Sequence, residues 1–223
     1  MVFLQNYRLC LAELIGTFAL VFAGTGAIIV NEISGGAVTH VGIGLVFGLI
    51  VMAMIYSVGD VSGAHLNPAV TIAFAVSRRF PFGRVLPYLI SQCAGAILAS
   101  LVLKALFPTN NLLGSTLPAG PAMQSFILEA ILTFLLMFVI LHVATGAKEK
   151  GIMAGVAIGA TVGLEALFAG PICGASMNPA RSLAPALVSG NLHDLWIYLA
   201  APVLGAIFAV FAHAVTQSKP IHP

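Results

Sequence analysis

Charge is what this chain lacks most. Only 7% of its 223 residues are Asp, Glu, Lys or Arg, whereas soluble domains carry about 25%. Together with 60% apolar residues, this shortage predicts an integral membrane protein and leaves no room for a separate soluble domain. The formal net charge of +2 is too small to indicate a nucleic-acid partner.

Cysteine is also scarce. The three cysteines, Cys10, Cys93 and Cys173, are far apart and form no Cys-x-x-Cys pair. This spacing supports neither a disulfide framework nor a zinc site, so we expect small buried apolar residues instead. We expect neither a metal nor a cofactor.

Long apolar runs dominate what is present. Each is long enough to cross a hydrocarbon core of about 30 Å. The first has no clear cleavage site, so we interpret it as a retained span and not as a signal peptide. The predicted spans are residues 8–30, 40–59, 85–106, 123–145, 151–169 and 194–216.

Two short segments interrupt this pattern with one shared motif. Residues 63–69 and 174–180 both read Gly-Ala-x-x-Asn-Pro-Ala. Proline suits the first position of a helix and asparagine suits the cap before it, so each motif predicts a helix start. The helices would end near Val76 and Val188, and ten residues span roughly 15 Å, which is half a membrane. Irregular backbone before them is tolerated at that depth only in protein or beside a wet cavity.

The chain also reads as two related halves. The segment around Glu13 resembles the segment around Glu129, and each is followed by spans and one Asn-Pro-Ala motif. We predict repeats of residues 1–110 and 111–223, each with three spans and one half-helix, forming a single channel domain. Because three spans are an odd number, the chain lies on the opposite side of the membrane when the second repeat begins. The second repeat would therefore be inverted. Broken helices at matching positions of two halves indicate a binding site at the membrane midplane.

Basic residues predict the orientation. Lys104 falls near one side of this topology, and all the other Lys and Arg residues outside the half-helices fall on the opposite side. Because positive loops stay inside, we expect both termini in the cytoplasm and the protein in the cell membrane. The cations on the inner side are Arg8, Arg78, Arg79, Arg84, Lys148, Lys150 and Lys219.

The two asparagines are the strongest candidates for a functional site. Asn67 and Asn178 would begin their half-helices at the centre of the membrane, where their amides can donate hydrogen bonds into a shared passage. The alternative is that both only cap their helices. The preceding loops would supply carbonyl acceptors, and His65 is the histidine expected to approach the passage. The loop candidates are Gly63, Ala64, His65, Gly174, Ser176 and Met177.

Four ionisable residues lie inside apolar sequence, where they are costly and usually functional. Arg181 shares a helix face with Asn178 and is expected at the outer mouth, where it would repel cations. Glu13 and Glu129 are predicted to accept backbone N–H groups of the loops, with a proton relay as the alternative. Glu165 either pairs with Arg181 or lines the passage.

These motifs resemble the aquaporin (major intrinsic protein) family over nearly the whole chain. The forms Ser-Gly-Ala-His-x-Asn-Pro-Ala-Val-Thr and Asn-Pro-Ala-Arg-Ser carry the resemblance. It implies an all-α membrane fold of six transmembrane helices plus two half-helices in inverted repeats. It also implies a homotetramer in the lipid bilayer, with one pore in each protomer.

The resemblance further implies a selectivity filter of Phe47, Ala166, Ala175 and Arg181. Strict water channels have histidine where this chain has Ala166, so the resemblance implies a wider and less polar constriction. Ser182 and Ala186 are similar to water channels, whereas Tyr198 and Leu199 are not the aromatic pair of that group. The mixture is most similar to plant nodulin-like intrinsic proteins and their bacterial relatives.

We therefore predict a passive channel for water and small uncharged solutes that excludes protons and ions. The resemblance implies glycerol and metalloid hydroxides such as arsenous, boric or silicic acid. A strict water channel is the alternative, and a proton-coupled secondary transporter is a more distant one. We expect no enzyme, because Ser176, His65 and Glu165 lack the spacing of a nucleophile elbow or a metal site.

Overall fold

Six long helices make up most of the protein. The computed structural model describes residues 2–144 and 152–216, with side chains from residue 7 onward. In this part of the chain, six helices are long and apolar enough to cross a membrane. They are α1 (Val2–Ile33), α2 (Thr39–Ser62), α4 (Val85–Leu106), α5 (Ala122–Val143), α6 (Ala154–Cys173) and α8 (Leu195–Thr216).

Two short helices complete the described structure. The helix α3 (Pro68–Val76) has nine residues and α7 (Pro179–Ser189) has eleven, or about 14 and 17 Å at 1.5 Å per residue. Both begin at the proline of the motif and have the preceding asparagine as their N-cap. Neither can cross a bilayer alone, so the two half-helices predicted from the sequence are present.

The two halves repeat the same internal contacts. In the first half, Gly95 of α4 packs so closely on α1 that a Cβ there would overlap the Leu14 carbonyl oxygen. Gly205 of α8 has the same relation to the Ala130 carbonyl oxygen on α5. These glycines let α1 pair with α4 and α5 with α8, as small residues do between membrane helices. The fold is therefore two inverted repeats of three spans and one half-helix.

The repeats meet where α2 crosses α6. A Cβ on Gly48 would lie 2.6 Å from the carbonyl oxygen of Gly159, and a Cβ on Gly159 would lie 2.6 Å from that of Gly48. Both neighbours are backbone atoms, so neither can give way. The crossing fixes the relative position of α2 and α6, which both contribute side chains to the central cavity.

Several helices extend beyond their predicted ends. The first span covers Val2–Ile33 and not residues 8–30. The second and fifth, predicted to end at 59 and 169, continue to Ser62 and Cys173, because the left-handed residues that close them are Gly63 and Gly174. The fourth, fifth and sixth spans begin one to three residues away from the predicted positions, and α7 ends at Ser189, one residue late.

A proline inside α6 is accommodated by a histidine. Pro171 has no N–H, so the Leu167 carbonyl loses its helical partner. His40 at the start of α2 lies 2.6 Å from that oxygen through Nε2 and replaces the missing donor. The helix therefore runs past the proline, where the sequence alone predicted an end at 169.

Most of the basic residues that the structure describes lie at one end. Arg78, Arg79 and Arg84 lie between α3 and α4, where residues 82–84 form a single 3₁₀ turn, and Arg8 lies in the first turns of α1. Lys104 is in the last turn of α4, at the opposite end. Lys148, Lys150 and Lys219, which also entered the orientation argument, lie outside the described residues.

Candidate functional site

A cavity of about 710 Å³ runs along the contact between the two half-helices. At one end it reaches Tyr56 and Asp60 of α2, on the side of the basic residues, and at the other it reaches Phe47 and Arg181. Its wall combines aliphatic side chains of four long helices with both motif loops. The aliphatic residues of these helices are Leu20, Val51, Ile55, Leu136, Ile140, Ile158 and Val162.

Asn67 and Asn178 connect the two half-helices at the middle of this wall. The Asn67 amide donates to the Met177 carbonyl at 2.7 Å, and the Asn178 amide donates to the Leu66 carbonyl at 2.8 Å. Their side-chain oxygens accept from the first N–H groups of α3 and α7, at 2.9 Å from Ala69 and 3.0 Å from Ala180. Each asparagine therefore caps its own helix and also binds the opposite loop, with one amide hydrogen left over.

The two motif loops share an unusual backbone. In the first, Gly63, Ala64 and Leu66 have φ of +85°, +46° and +51°. The second repeats this at Gly174, Ala175 and Met177, with φ of +83°, +41° and +54°. Left-handed conformations are strained for residues with a Cβ, so surrounding contacts must hold them.

This conformation leaves free acceptors beside the cavity. Within the described part of the chain, no hydrogen-bond donor contacts the carbonyl groups of Gly63, Ala64, His65, Ala175 and Ser176. All five residues line the cavity. Backbone carbonyls without a partner at membrane depth need water or a solute as a donor.

Two buried carboxylates hold the loops in place. Glu129 accepts the N–H groups of Ser176 at 2.7 Å and Met177 at 2.8 Å. Glu13 accepts those of His65 at 2.9 Å and Leu66 at 2.7 Å. Neither carboxylate lines the cavity, and both are fully buried. The contacts are those expected of a structural role.

Additional side chains complete the environment of Glu13. The carboxylate also accepts from Ser62 Oγ at 2.7 Å and from Gln92 Nε2 at 2.8 Å. Four hydrogen bonds satisfy a carboxylate in the absence of a counter-ion, which explains why it is tolerated inside the membrane.

Arg181 lies at the end of the cavity opposite Asp60. Its Nη1 donates to the Gly114 carbonyl at 2.8 Å, and its guanidinium carbon lies 5.2 Å from the centre of the Phe47 ring. The residue is only 2% exposed, yet its Nε has no partner among the described residues. A buried cation with unused donor capacity beside a cavity can bind a solute oxygen.

Glu165 fits neither of the two roles considered from the sequence. It is 1% exposed, and neither of its carboxyl oxygens has a hydrogen-bond partner among the described residues. It does not line the cavity, and no ion pair joins it to Arg181 in the described structure. It lies on α6, one residue before Ala166.

Most of the predicted site residues lie around one cavity. Phe47, Ala175 and Arg181 line it, as do both asparagines and the loop residues Gly63, Ala64, His65, Ser176 and Met177. Two of the residues predicted for the filter and the loops do not line the cavity.

Gly174 faces away from the cavity, toward Thr116, which a Cβ at position 174 would contact at 3.0 Å. Ala166 is buried one helical turn after Val162, which does line the wall.

His65 lies at the edge of the first loop. Its ring packs against Phe74, Phe80 and Tyr88, with centroids 4.8 to 5.2 Å apart, and its Nδ1 lies 3.1 Å from Thr71 Oγ1. The histidine lines the cavity, in agreement with its predicted approach to the passage. It also packs within an aromatic cluster.

The support of Arg181 was not predictable from the sequence. The segment from 107 to 121 contributes the Gly114 carbonyl, and Thr116 donates to Ser182 at 2.7 Å. The Pro-, Gly- and Asn-rich composition of this loop gives no signal for either contact. The aliphatic wall was also missed, although Leu136 and Ile140, like Ile158 and Val162, are spaced four residues apart on one helix face.

Comparison with known proteins decides the family. The family model described as Major intrinsic protein matches residues 1–213. The chain belongs to this family. It is a membrane channel for water and small uncharged solutes.

Plant proteins are among its similar relatives. Aquaporin NIP1-1 of Oryza sativa subsp. japonica is 48% identical over 214 residues, covering 95% of this chain and 75% of the rice protein. Aquaporin NIP3-1 of Arabidopsis thaliana is 50% identical over 216 residues, covering 93% of this chain and 67% of that protein. Nodulin-26 of Glycine max is 47% identical over 213 residues, covering 94% and 79%.

A solved structure shares the fold. The X-ray structure of the aquaglyceroporin from Plasmodium falciparum superposes with a TM-score of 0.82 at 25% identity. The alignment covers 95% of this chain and 96% of that chain. The arrangement of six spans and two half-helices therefore extends over essentially the whole length of both proteins.

Proposed function

We propose that this channel conducts glycerol and uncharged metalloid hydroxides, such as arsenous, boric or silicic acid, in addition to water. The observation that carries the proposal is the cavity of about 710 Å³ on which both asparagines, the free loop carbonyls and Arg181 converge. One side is aliphatic and the other presents hydrogen-bonding groups, which matches a small polyol or hydroxide with polar and apolar faces.

Passage would replace the hydration of the solute step by step. The free carbonyls of the loops accept its hydroxyl protons, and the remaining amide hydrogens of Asn67 and Asn178 donate to its oxygens. Arg181 would bind the solute at the opening and repel cations. No covalent step is involved, and the solute diffuses passively down its concentration gradient.

Proton exclusion follows from the two half-helices. The N-termini of α3 and α7 both face the centre, each with partial positive charge from the aligned peptide dipoles of its helix. A central water that accepts from both asparagines has its own hydrogens directed outward, so a hydrogen-bonded chain through it is broken. A hydronium ion would also meet the charge of Arg181.

The filter assigned to Phe47, Ala166, Ala175 and Arg181 belongs to this proposal. Two alanines leave space that larger side chains would fill, and Ala175 contacts the cavity directly. Similarity to proteins named aquaporin, nodulin-26 and aquaglyceroporin supports permeation by water and by polyols. A strict water channel and a proton-coupled transporter are the alternatives that the experiment below separates.

Assembly and location complete the proposal. We propose a homotetramer with one pore in each protomer, placed in the cell membrane with both termini in the cytoplasm. Exposed apolar side chains cover the outer faces of the helices, and most of α2 is not buried within one protomer. A native mass near four times the 23.0 kDa protomer is expected for the solubilised protein. A monomeric mass would contradict the tetramer.

Stopped-flow light scattering on proteoliposomes tests the transport proposal. Water, glycerol and arsenous acid permeabilities are compared with those of empty liposomes and of Asn178→Leu, which removes the donor to Leu66. We expect all three solutes to exceed the empty control and to fall in the variant. Fast water flux without solute flux would establish the strict water channel. Uptake against a gradient, driven by pH, would establish the transporter.

A further inference from the structure

Phe47 of the proposed filter rests directly on the backbone of α1. Gly24 of α1 faces the ring, and a Cβ at that position would overlap the Cε1, Cζ and Cδ1 atoms of Phe47. The ring thus occupies the space that any other residue at position 24 would fill. Glycine is less favourable than alanine in a helix interior, so helix formation alone does not favour it there.

The same ring also contacts the filter cation. The guanidinium carbon of Arg181 lies 5.2 Å from the ring centroid, and Phe47 lines the cavity. The ring is therefore held between the α1 backbone and the passage. Displacement of the ring by a side chain at position 24 would change its position relative to Arg181 and the cavity.

The next residue of α1 supports the opposite wall. Gly114, whose carbonyl accepts from Arg181, packs so closely on Thr25 that a Cβ on Gly114 would lie 2.8 Å from the Thr25 Cβ. Thr25 is fixed by its own hydrogen bond to the Val21 carbonyl at 2.6 Å. Consecutive residues of α1 thus support both Phe47 and, through Gly114, Arg181.

The inverted repeat offers an internal comparison. Glu13 and Glu129 are 116 positions apart, and Ile140 stands the same 116 positions after Gly24. Ile140 lines the cavity with its own side chain, whereas at Gly24 the wall is formed by the Phe47 ring of α2. The two ends of the passage are therefore built differently at equivalent positions of α1 and α5.

We propose that Gly24 is a positioning residue that sets the width of the filter by fixing how far the Phe47 ring extends into the passage. This inference rests on the proposed function, because it concerns which solutes pass the filter. A methyl group at position 24 would push the ring toward Arg181 and close space that glycerol needs. Water, which is smaller, would be affected less.

The test compares Gly24→Ala with the wild type by stopped-flow light scattering on proteoliposomes. We expect the ratio of glycerol to water permeability to fall about tenfold, the lower end of what one methylene costs in a fitted pocket. Gly26→Ala is the matched control on the same helix, because its Cβ would meet only the flexible Leu103 side chain, at 3.3 Å. Its ratio should stay that of the wild type.

A double-mutant cycle shows whether the effect passes through Phe47. In a Phe47→Leu background, Gly24→Ala should leave the ratio unchanged, since the ring that it displaces is absent. This cycle also covers the case in which Gly24→Ala alone fails to fold, because the smaller leucine leaves space for the methyl group. An unchanged ratio in Gly24→Ala, an equal fall in Gly26→Ala, or a full effect in the Phe47→Leu background would overturn the inference.

Failure of the proposed function is recognised separately. If wild-type channels pass water but no glycerol above empty liposomes, the solute proposal fails. In that case the positioning role requires that Gly24→Ala lower water permeability in the protein with Phe47 and not in the Phe47→Leu background. Equal loss of water flux with and without Phe47 would overturn the positioning role in that case too.

Discussion

Ala166 was predicted to form part of the selectivity filter, and this role can be tested directly by substitution. It is buried one turn after Val162 on α6 and does not itself line the cavity. Alanine has no side-chain atoms beyond Cβ. Its contribution to a filter would therefore be to leave open the space that a larger side chain would occupy. The proposed width of the opening depends on that space.

Ala166→His should therefore narrow the filter and add hydrogen-bonding nitrogens to it. We expect glycerol permeability to fall about tenfold or more while water permeability is retained, as measured by stopped-flow light scattering. Ala166→Val controls for size without added polarity, and should lower glycerol flux less. If both variants keep the wild-type ratio of glycerol to water permeability, position 166 is outside the filter.

At the scale of elements, the motif loops are held by carboxylates and not by the half-helices alone. The second loop has Ala175 and Met177 in left-handed conformations, and Glu129 accepts the N–H groups of Ser176 and Met177. Because both carboxylate oxygens are used, each N–H would be buried without a partner if its acceptor were lost. The loop geometry therefore depends on a side chain that does not line the cavity.

Glu129→Gln tests this dependence. One of its two oxygens becomes an NH₂ group facing an N–H donor, which leaves a buried donor unpaired at about 1–3 kcal/mol. For a protein of this size, each kcal/mol lowers the midpoint of thermal unfolding by about 2–4 °C. Differential scanning fluorimetry of the purified protein in detergent should show that decrease.

Glu165→Gln is the matched control for this measurement. Glu165 is also a buried glutamate, but its oxygens have no hydrogen-bond partner among the described residues, so the amide removes no bond. Its unfolding midpoint should equal or exceed that of the wild type. A decrease in Glu165→Gln as large as in Glu129→Gln would show that any buried glutamate here is equally sensitive to loss of charge.

At the scale of the whole molecule, the fold was predictable because its signals are local and repeated. Apolar runs separated by short polar segments indicate spans, and an asparagine followed by proline indicates a helix start, once in each half. Both signals needed only neighbouring residues. The additional residues at the ends of α2 and α6 were not predictable in this way. Each helix continues past the end of its apolar run, to the glycine whose left-handed conformation ends it.

The filter was predictable only in part, because its geometry depends on contacts between distant segments. The resemblance to the aquaporin family implied Arg181, Phe47 and Ala175 as filter residues, and all three line the cavity. Nothing in the sequence indicated that Gly114 binds Arg181 or that Gly24 supports Phe47, since 67 and 23 positions separate the members of these pairs. Glycines chosen for close packing carry no chemical signal of their own.

The orientation of the whole molecule gives the last prediction. Residues 34–38 connect α1 to α2 at one end, and the arginine-bearing turn at 82–84 lies at the other. With positive loops inside, the first connection is expected outside the cell and the turn in the cytoplasm. The measurement is labelling of single cysteines by a membrane-impermeant maleimide, in a background in which Cys10, Cys93 and Cys173 are replaced by alanine.

Ala37→Cys should be labelled in intact cells, because Ala37 is exposed in the first connection. Gly83→Cys should be labelled only after the cells are permeabilised, and a Cβ there meets nothing within 4 Å, so folding is not disturbed. The reverse pattern would place Arg181 and Phe47 at the cytoplasmic end of the passage. Solutes entering from outside would then meet Asp60 and Tyr56 first, and the filter would act on efflux before uptake.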